Sequence, residues 1–191
     1  QWALAEALTE LEPGAAGTML YPSGVAALAG ALLAVLRPGD VLLLTDNAYD
    51  PTRAMGRGLL KEFGIETRFF DPLEIAAFEA LICEKTRAVL LEAPGSLTME
   101  VADIPALTAI ARSRGIVSVF DNTWASPLGF QALERGADIS VMSLSKHVGG
   151  HSDLIAGAAL GSKAVMKDIK ALRGAIGTQL DPHSCWMLGR S

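Results

Sequence analysis

Cysteine is scarce in this sequence. Cys83 and Cys185 lie far apart, and neither belongs to a Cys-x-x-Cys pattern. That spacing argues against a disulfide framework or a thiolate zinc site and suggests reduced thiols in a cytoplasmic protein. Basic charge is also short. Sixteen Lys and Arg face 21 Asp and Glu, for a net charge of −5. A negative chain without a basic stripe is a poor candidate for nucleic acid. No apolar run reaches the roughly 18 residues of a membrane span; the longest, 25–36, reads as a buried helix. Walker and dinucleotide glycine patterns are missing, as are internal repeats, low-complexity tracts and linkers. The chain starts at Gln1, its first methionine is Met19, and 1–11 already reads as helix. The apolar pattern at 184–188 is cut short as well. The 191 residues are therefore expected to be one large domain excerpted from a longer polypeptide.

Half of the residues are hydrophobic and 19% are charged, the profile of a well-buried globular domain. Short apolar runs at 18–21, 41–45, 65–70, 88–92, 116–120, 139–143 and 154–160 read as strands. Helical patterns fall between them at 24–36, 51–63, 73–82, 103–114 and 163–173. Runs such as Val41-Leu42-Leu43-Leu44 are apolar at every position, as expected of strands covered on both faces. The alternation predicts an α/β fold, a mostly parallel sheet of about seven strands flanked by helices.

The chemically capable residues sit at the carboxyl ends of these runs. Asp46 and Tyr49 follow one, Glu92 ends another, Asp121 follows a third, and Ser143, Ser145 and Lys146 close a fourth. Open α/β sheets bind ligands at that edge. A lysine and an aspartate at neighbouring strand ends suit pyridoxal phosphate: the amine forms a Schiff base with the aldehyde, and the carboxylate keeps the pyridine nitrogen protonated. Ser23-Gly24-Val25 opens an alanine-rich helix, where Ser23 can cap and the free amides of Gly24 and Val25 favour phosphate. The hydroxyls of Ser143 and Ser145 could share that phosphate, and the Tyr49 ring could stack on the pyridine.

Each of these residues also has an ordinary reading. Ser23 can be a plain cap, Asp121 a turn former, Tyr49 a surface aromatic, and Lys146 a solvated, protonated amine. The joint occurrence at strand ends favours one site. Two competitors use the same stretch. Ser143-Leu144-Ser145-Lys146 matches the Ser-x-x-Lys element of β-lactam-reactive hydrolases, but that element starts a helix and the Ser-Asp-Asn and Lys-Thr-Gly companions are missing. His147, His151 and Asp153 have metal-ligand chemistry. Gly149-Gly150 between the histidines disfavours a helix, so a loop with hydrogen-bonding histidines and no metal is expected.

Six blocks carry a family resemblance: Tyr21-Pro22-Ser23-Gly24, Thr45-Asp46-Asn47-Ala48-Tyr49, the run from Glu92 to Val101, Phe120-Asp121-Asn122-Thr123-Trp124-Ala125, Ser143-Leu144-Ser145-Lys146-His147, and the run from Gly177 to His183. With them the whole chain resembles the Cys/Met-metabolism pyridoxal-phosphate enzymes. Pro94-Gly95-Ser96-Leu97-Thr98-Met99-Glu100 resembles the β-lyase branch, where γ-lyases and synthases usually carry an Asn-Pro pair. The resemblance implies that Lys146 holds the aldehyde and acts in catalysis, with Tyr49 assisting. It implies that Asp121 meets the ring nitrogen and Tyr49 the ring face, while Gly24, Val25, Ser143 and Ser145 surround the phosphate. Glu92 and Ser96 would shape the adjoining loop. The implied reaction is β-elimination from an amino-acid thioether, L-cystathionine, to homocysteine, pyruvate and ammonia. The resemblance also implies a cytoplasmic homotetramer, a dimer of dimers, with residues lent by a neighbouring subunit preceding Gln1 and the arginine for the substrate carboxylate following Ser191. A γ-lyase, a γ-synthase and a catalytically silent scaffold stay open as alternatives.

Overall fold

The computed structural model describes residues 1–191, with strands β1 (Gly17–Tyr21), β2 (Val41–Thr45), β3 (Glu66–Phe70), β4 (Thr86–Glu92), β5 (Val117–Asp121), β6 (Ile139–Ser143) and β7 (Gly157–Gly161). They form one sheet in the order β1-β7-β6-β5-β4-β2-β3. The neighbours from β6 to β3 pair in parallel, and β7 is antiparallel to both β6 and β1. The expected α/β class and mostly parallel seven-stranded sheet are what the chain adopts.

The helices are α1 (Trp2–Leu11), α2 (Gly24–Val35), α3 (Asp50–Arg57), α4 (Leu59–Glu62), α5 (Ile75–Leu81), α6 (Ile104–Ser113), α7 (Ser126–Gly129), α8 (Lys163–Ile176) and α9 (Pro182–Arg190). They cover both faces of the sheet. Leu42, Leu44, Leu90 and Val119 pack with residues of α2 and α8, such as Leu32 and Ile169. The alternate residues Val41, Leu43, Val89, Leu91 and Phe120 pack with Phe78 of α5 and Leu107 of α6. Period-two alternation thus feeds two separate cores, which is why β2 is buried at all five positions. A third cluster joins Leu4 and Leu8 of α1 to Met142, Leu160 and Leu188.

Two expectations need correction, and α7 and α9 were not among the expected helices. The helix over 51–63 breaks at Gly58, whose φ of −111° and ψ of −89° are not helical, so α3 and α4 are separate. The strand over 154–160 starts only at Gly157. The Ser145 hydroxyl accepts the Ala156 N–H at 2.9 Å and donates to its carbonyl at 3.2 Å, occupying both backbone groups there. The single turn α7 escaped the pattern because four residues carry no periodicity; it opens with Ser126 at a φ of 57°.

The chain runs from β2 to β3 on one side and returns to β4 on the other. Between β2 and β4 the crossovers therefore diverge, leaving a crevice at the carboxyl ends of the strands.

Candidate active site

That edge of the sheet holds a cavity of about 180 Å³, lined by Gly24, Val25, Tyr49, Asp121, Ser143, Ser145 and Lys146. The seven residues expected to hold the cofactor thus meet in one place, drawn from the β1–α2, β2–α3, β5 and β6 ends, whereas Asp46, also noted at a strand end, does not line the cavity. Ser23, Glu92 and Thr123 join them.

The α2 end is built by its cap. Ser23 is extended (φ −161°, ψ 164°), and its Oγ accepts the Ala26 N–H at 3.0 Å. The Ala27 N–H bonds to the Ser23 carbonyl. As first-turn groups, the Gly24 and Val25 amides have no intrahelical acceptor. Two glycines permit the approach. A Cβ on Gly24 would lie 2.7 Å from Ser143 Cβ, and one on Gly157 would overlap the Ser23 carbonyl. The helix start is thus pressed against the end of β6. Two amides and a helix dipole beside the Ser143 side chain make a cradle for an anion.

Ser145 lines the cavity, but its hydroxyl hydrogen goes to the Ala156 carbonyl. Donation to an anion would require giving up that bond. Lys146 follows in a turn where its amide donates to the Ser143 carbonyl at 3.3 Å, and its side chain is exposed. Its Nζ lies 5.3 Å from the centroid of the Tyr49 ring. Tyr49 is 42% exposed and lines the cavity.

Asp121 is 7% exposed. Its Oδ1 accepts the Thr123 N–H at 3.0 Å, and it belongs to none of the chain's three ion pairs. Burial pushes its carboxyl above the usual carboxylate range, with the Thr123 hydrogen bonds and the Lys146 charge opposing. A buried acid with spare acceptor capacity beside an open cavity suits a cationic partner. Glu92 is the residue beside Asp121 in the β4–β5 ladder. Burial and the Asp121 charge push Glu92 up to about 7, against the Tyr49 amide, Lys146 and Arg53. Two acids and one amine therefore share the cavity.

Thr123 was not anticipated from the sequence beyond its place in a quoted block. Its amide holds Asp121, while its Oγ1 accepts the Ser143 N–H at 2.9 Å, tying the ends of β5 and β6 together. His147 and His151 are exposed. His151 Nδ1 lies 2.6 Å from the Gly149 carbonyl, and no group of three or more His, Cys, Asp or Glu side chains is placed to hold a metal. The Ser143–Lys146 stretch is a strand end and turn, not a helix start, which removes the geometry of the Ser-x-x-Lys hydrolases.

The family model of the Cys/Met metabolism PLP-dependent enzymes matches residues 1–191. The chain belongs to this family. It is 49% identical over 146 residues to a putative cystathionine β-lyase of Saccharomyces cerevisiae, covering 76% of this chain and 43% of that protein. It is 36% identical over 191 residues to the cystathionine β-lyase of Escherichia coli, covering 99% of this chain and 48% of the relative. The crystal structure of cystathionine γ-lyase from Lactobacillus plantarum, complexed with L-serine, superposes with a TM-score of 0.95 at 33% identity, over 98% of this chain and 49% of that one. The chain spans about half the length of the curated relatives it matches. The family's cofactor is pyridoxal phosphate. The anion cradle and the buried free acid fit its two charged ends.

Proposed function

We propose that this chain is the large cofactor-binding domain of a pyridoxal-phosphate-dependent carbon–sulfur lyase, whose full-length form carries out β-elimination on L-cystathionine. The observation that carries this reading is the convergence of Lys146, Asp121, Tyr49 and the α2 amides on one cavity, in a chain of this family. The β-lyase relatives and the Pro94–Glu100 block support the β branch.

Bound pyridoxal phosphate supplies an aldehyde that captures amines and a ring that accepts an electron pair. The Gly24 and Val25 amides and the Ser143 hydroxyl would hold the phosphate, with Ser145 beside them. Asp121 would keep a proton on the ring nitrogen through its negative charge. Tyr49 would cover one ring face and assist proton transfer at Lys146 Nζ, its cationic neighbour. Lys146 has two tasks in this scheme. Its Nζ would hold the aldehyde, and as a free amine it would take the substrate Cα proton and give a proton to the departing sulfur.

The same proposal includes a homotetramer, a dimer of dimers, in the cytoplasm. Both cysteines are free, which fits a reducing compartment. No helix is long and apolar enough to cross a membrane.

A γ-lyase reading has its own support, because a solved γ-lyase superposes so closely that this cavity does not choose between the reactions. One assay on the full-length protein with cystathionine decides. Pyruvate with an absorbance band of bound cofactor is the expected result. 2-Oxobutyrate would assign γ-elimination, and no keto acid with no bound cofactor would overturn the lyase reading.

A further inference from the structure

Glu92 is an acid of the cavity without a task in the scheme above. It ends β4 as Asp121 ends β5, and the two are direct partners in the parallel ladder, so their side chains leave the same face of the sheet. Its Oε2 accepts the Tyr49 N–H at 2.7 Å, across 43 residues of sequence. That bond spans the crevice where the chain direction reverses between β2 and β4. On the other side of Tyr49, its carbonyl accepts the Thr52 and Arg53 amides at 2.9 and 3.1 Å. The backbone of Tyr49 is therefore clamped at both ends, and its side chain keeps only its own torsions.

We propose that Glu92 is the positioning residue for Tyr49. Its ionised carboxylate anchors the tyrosine backbone across the crevice and so sets where the ring lies relative to Lys146. This rests on the reading of Tyr49 as a wall of the cofactor site. A hydrogen bond to an ionised acceptor is roughly twice as strong as a neutral one, so protonating Glu92 loosens the anchor.

Asp121 faces Glu92 from β5, Lys146 from the turn after β6, and Arg53 from α3. Burial and Asp121 outweigh the two cations, which brings the carboxyl up to about 7. The acid therefore changes charge in the neutral range. Its raised value means that the ionised form is disfavoured by folding. That cost is absent below the ordinary value of 4.5, grows as pH rises, and is complete above about 7. Glu92 thus positions the ring at the expense of stability, whereas a merely structural acid would stabilise.

The test uses the full-length protein without cofactor, labelled with 15N-tyrosine, the Tyr49 amide being assigned by its loss in Tyr49→Phe. Between about pH 5.5 and about pH 8.5 that resonance should move with pH in the wild type and stay fixed in Glu92→Gln. Glu92→Gln should also melt higher than the wild type at about pH 8.5, with a smaller gain at about pH 5.5. In the loaded enzyme, the same variant should lose the acid limb of the kcat/KM profile. A Tyr49 amide that ignores pH, or a Gln variant that melts lower than the wild type at the higher pH, would overturn the proposal. The first two readouts need no turnover, so failure of the lyase reading leaves them intact. A lyase whose Tyr49 amide does not titrate sinks this inference alone.

Discussion

Helices α2 and α6 begin with the same bond. Ala26 donates to Ser23 Oγ in one and Ala106 to Asp103 Oδ1 in the other, both at 3.0 Å. α9 repeats the second pattern, with Ser184 on Asp181. The difference is charge. Asp103 and Asp181 are exposed and lie outside the cavity, where a carboxylate complements the helix dipole. The α2 cap is a neutral hydroxyl on the cavity wall. The positive end of that dipole is left for a ligand. The strands repeat the contrast. The body of β2 is wholly buried, mostly apolar, and paired through its backbone on both sides. The ends of β4 and β5 carry two acids whose charge is not matched by an ion pair. The exposed caps of α6 and α9 match their charge to the helix dipole, whereas the two acids of the cavity stay without an ion pair.

Four substitutions in the full-length protein would break or sharpen this contrast. Lys146→Ala removes an exposed amine, so the fold should survive while turnover falls by roughly 10³-fold or more; initial rates beside circular dichroism check both. Leu43→Ala empties a fully buried position in the body of the sheet and should cost about 2–5 kcal/mol. Urea denaturation measures the cost, and cofactor affinity per folded molecule should stay the same. Ser23→Asp exchanges one good cap for another, so stability should shift by less than about 0.5 kcal/mol. It places a negative charge in the anion cradle, and affinity for inorganic phosphate, read by calorimetry, should fall roughly tenfold or more. The reciprocal Asp103→Ser should change stability by no more than about 0.5 kcal/mol and leave phosphate binding untouched. Equal effects of Ser23→Asp and Asp103→Ser on phosphate would erase the distinction between the two caps.

Much of the fold was legible because burial on both faces writes itself into composition. Val41–Thr45 and Ile139–Ser143 match the predicted strands at both ends, and the start of α2 follows from Ser23 and Gly24. The misreadings have two causes, a distant side chain that replaces backbone pairing and a glycine that leaves helical dihedrals. Leu154 to Ala156 look like a strand, yet Ser145 takes both backbone groups of Ala156 from eleven residues away. Gly58 sits in an otherwise helical pattern, and only its dihedrals reveal the break. Candidate site residues were visible as polar side chains at strand ends. The bonds among them were not: Thr123 meets Ser143 across 20 residues, and Glu92 meets Tyr49 across 43.

The sequence by itself determined the layered α/β architecture and the edge at which chemistry could gather, because hydrophobic periodicity and strand-end placement are local properties of a chain. Only the tertiary structure decided which acid faces the amine, which hydroxyl is already engaged, and what holds the tyrosine in place. Those outcomes depend on strand order and on desolvation by distant neighbours, which no local pattern encodes.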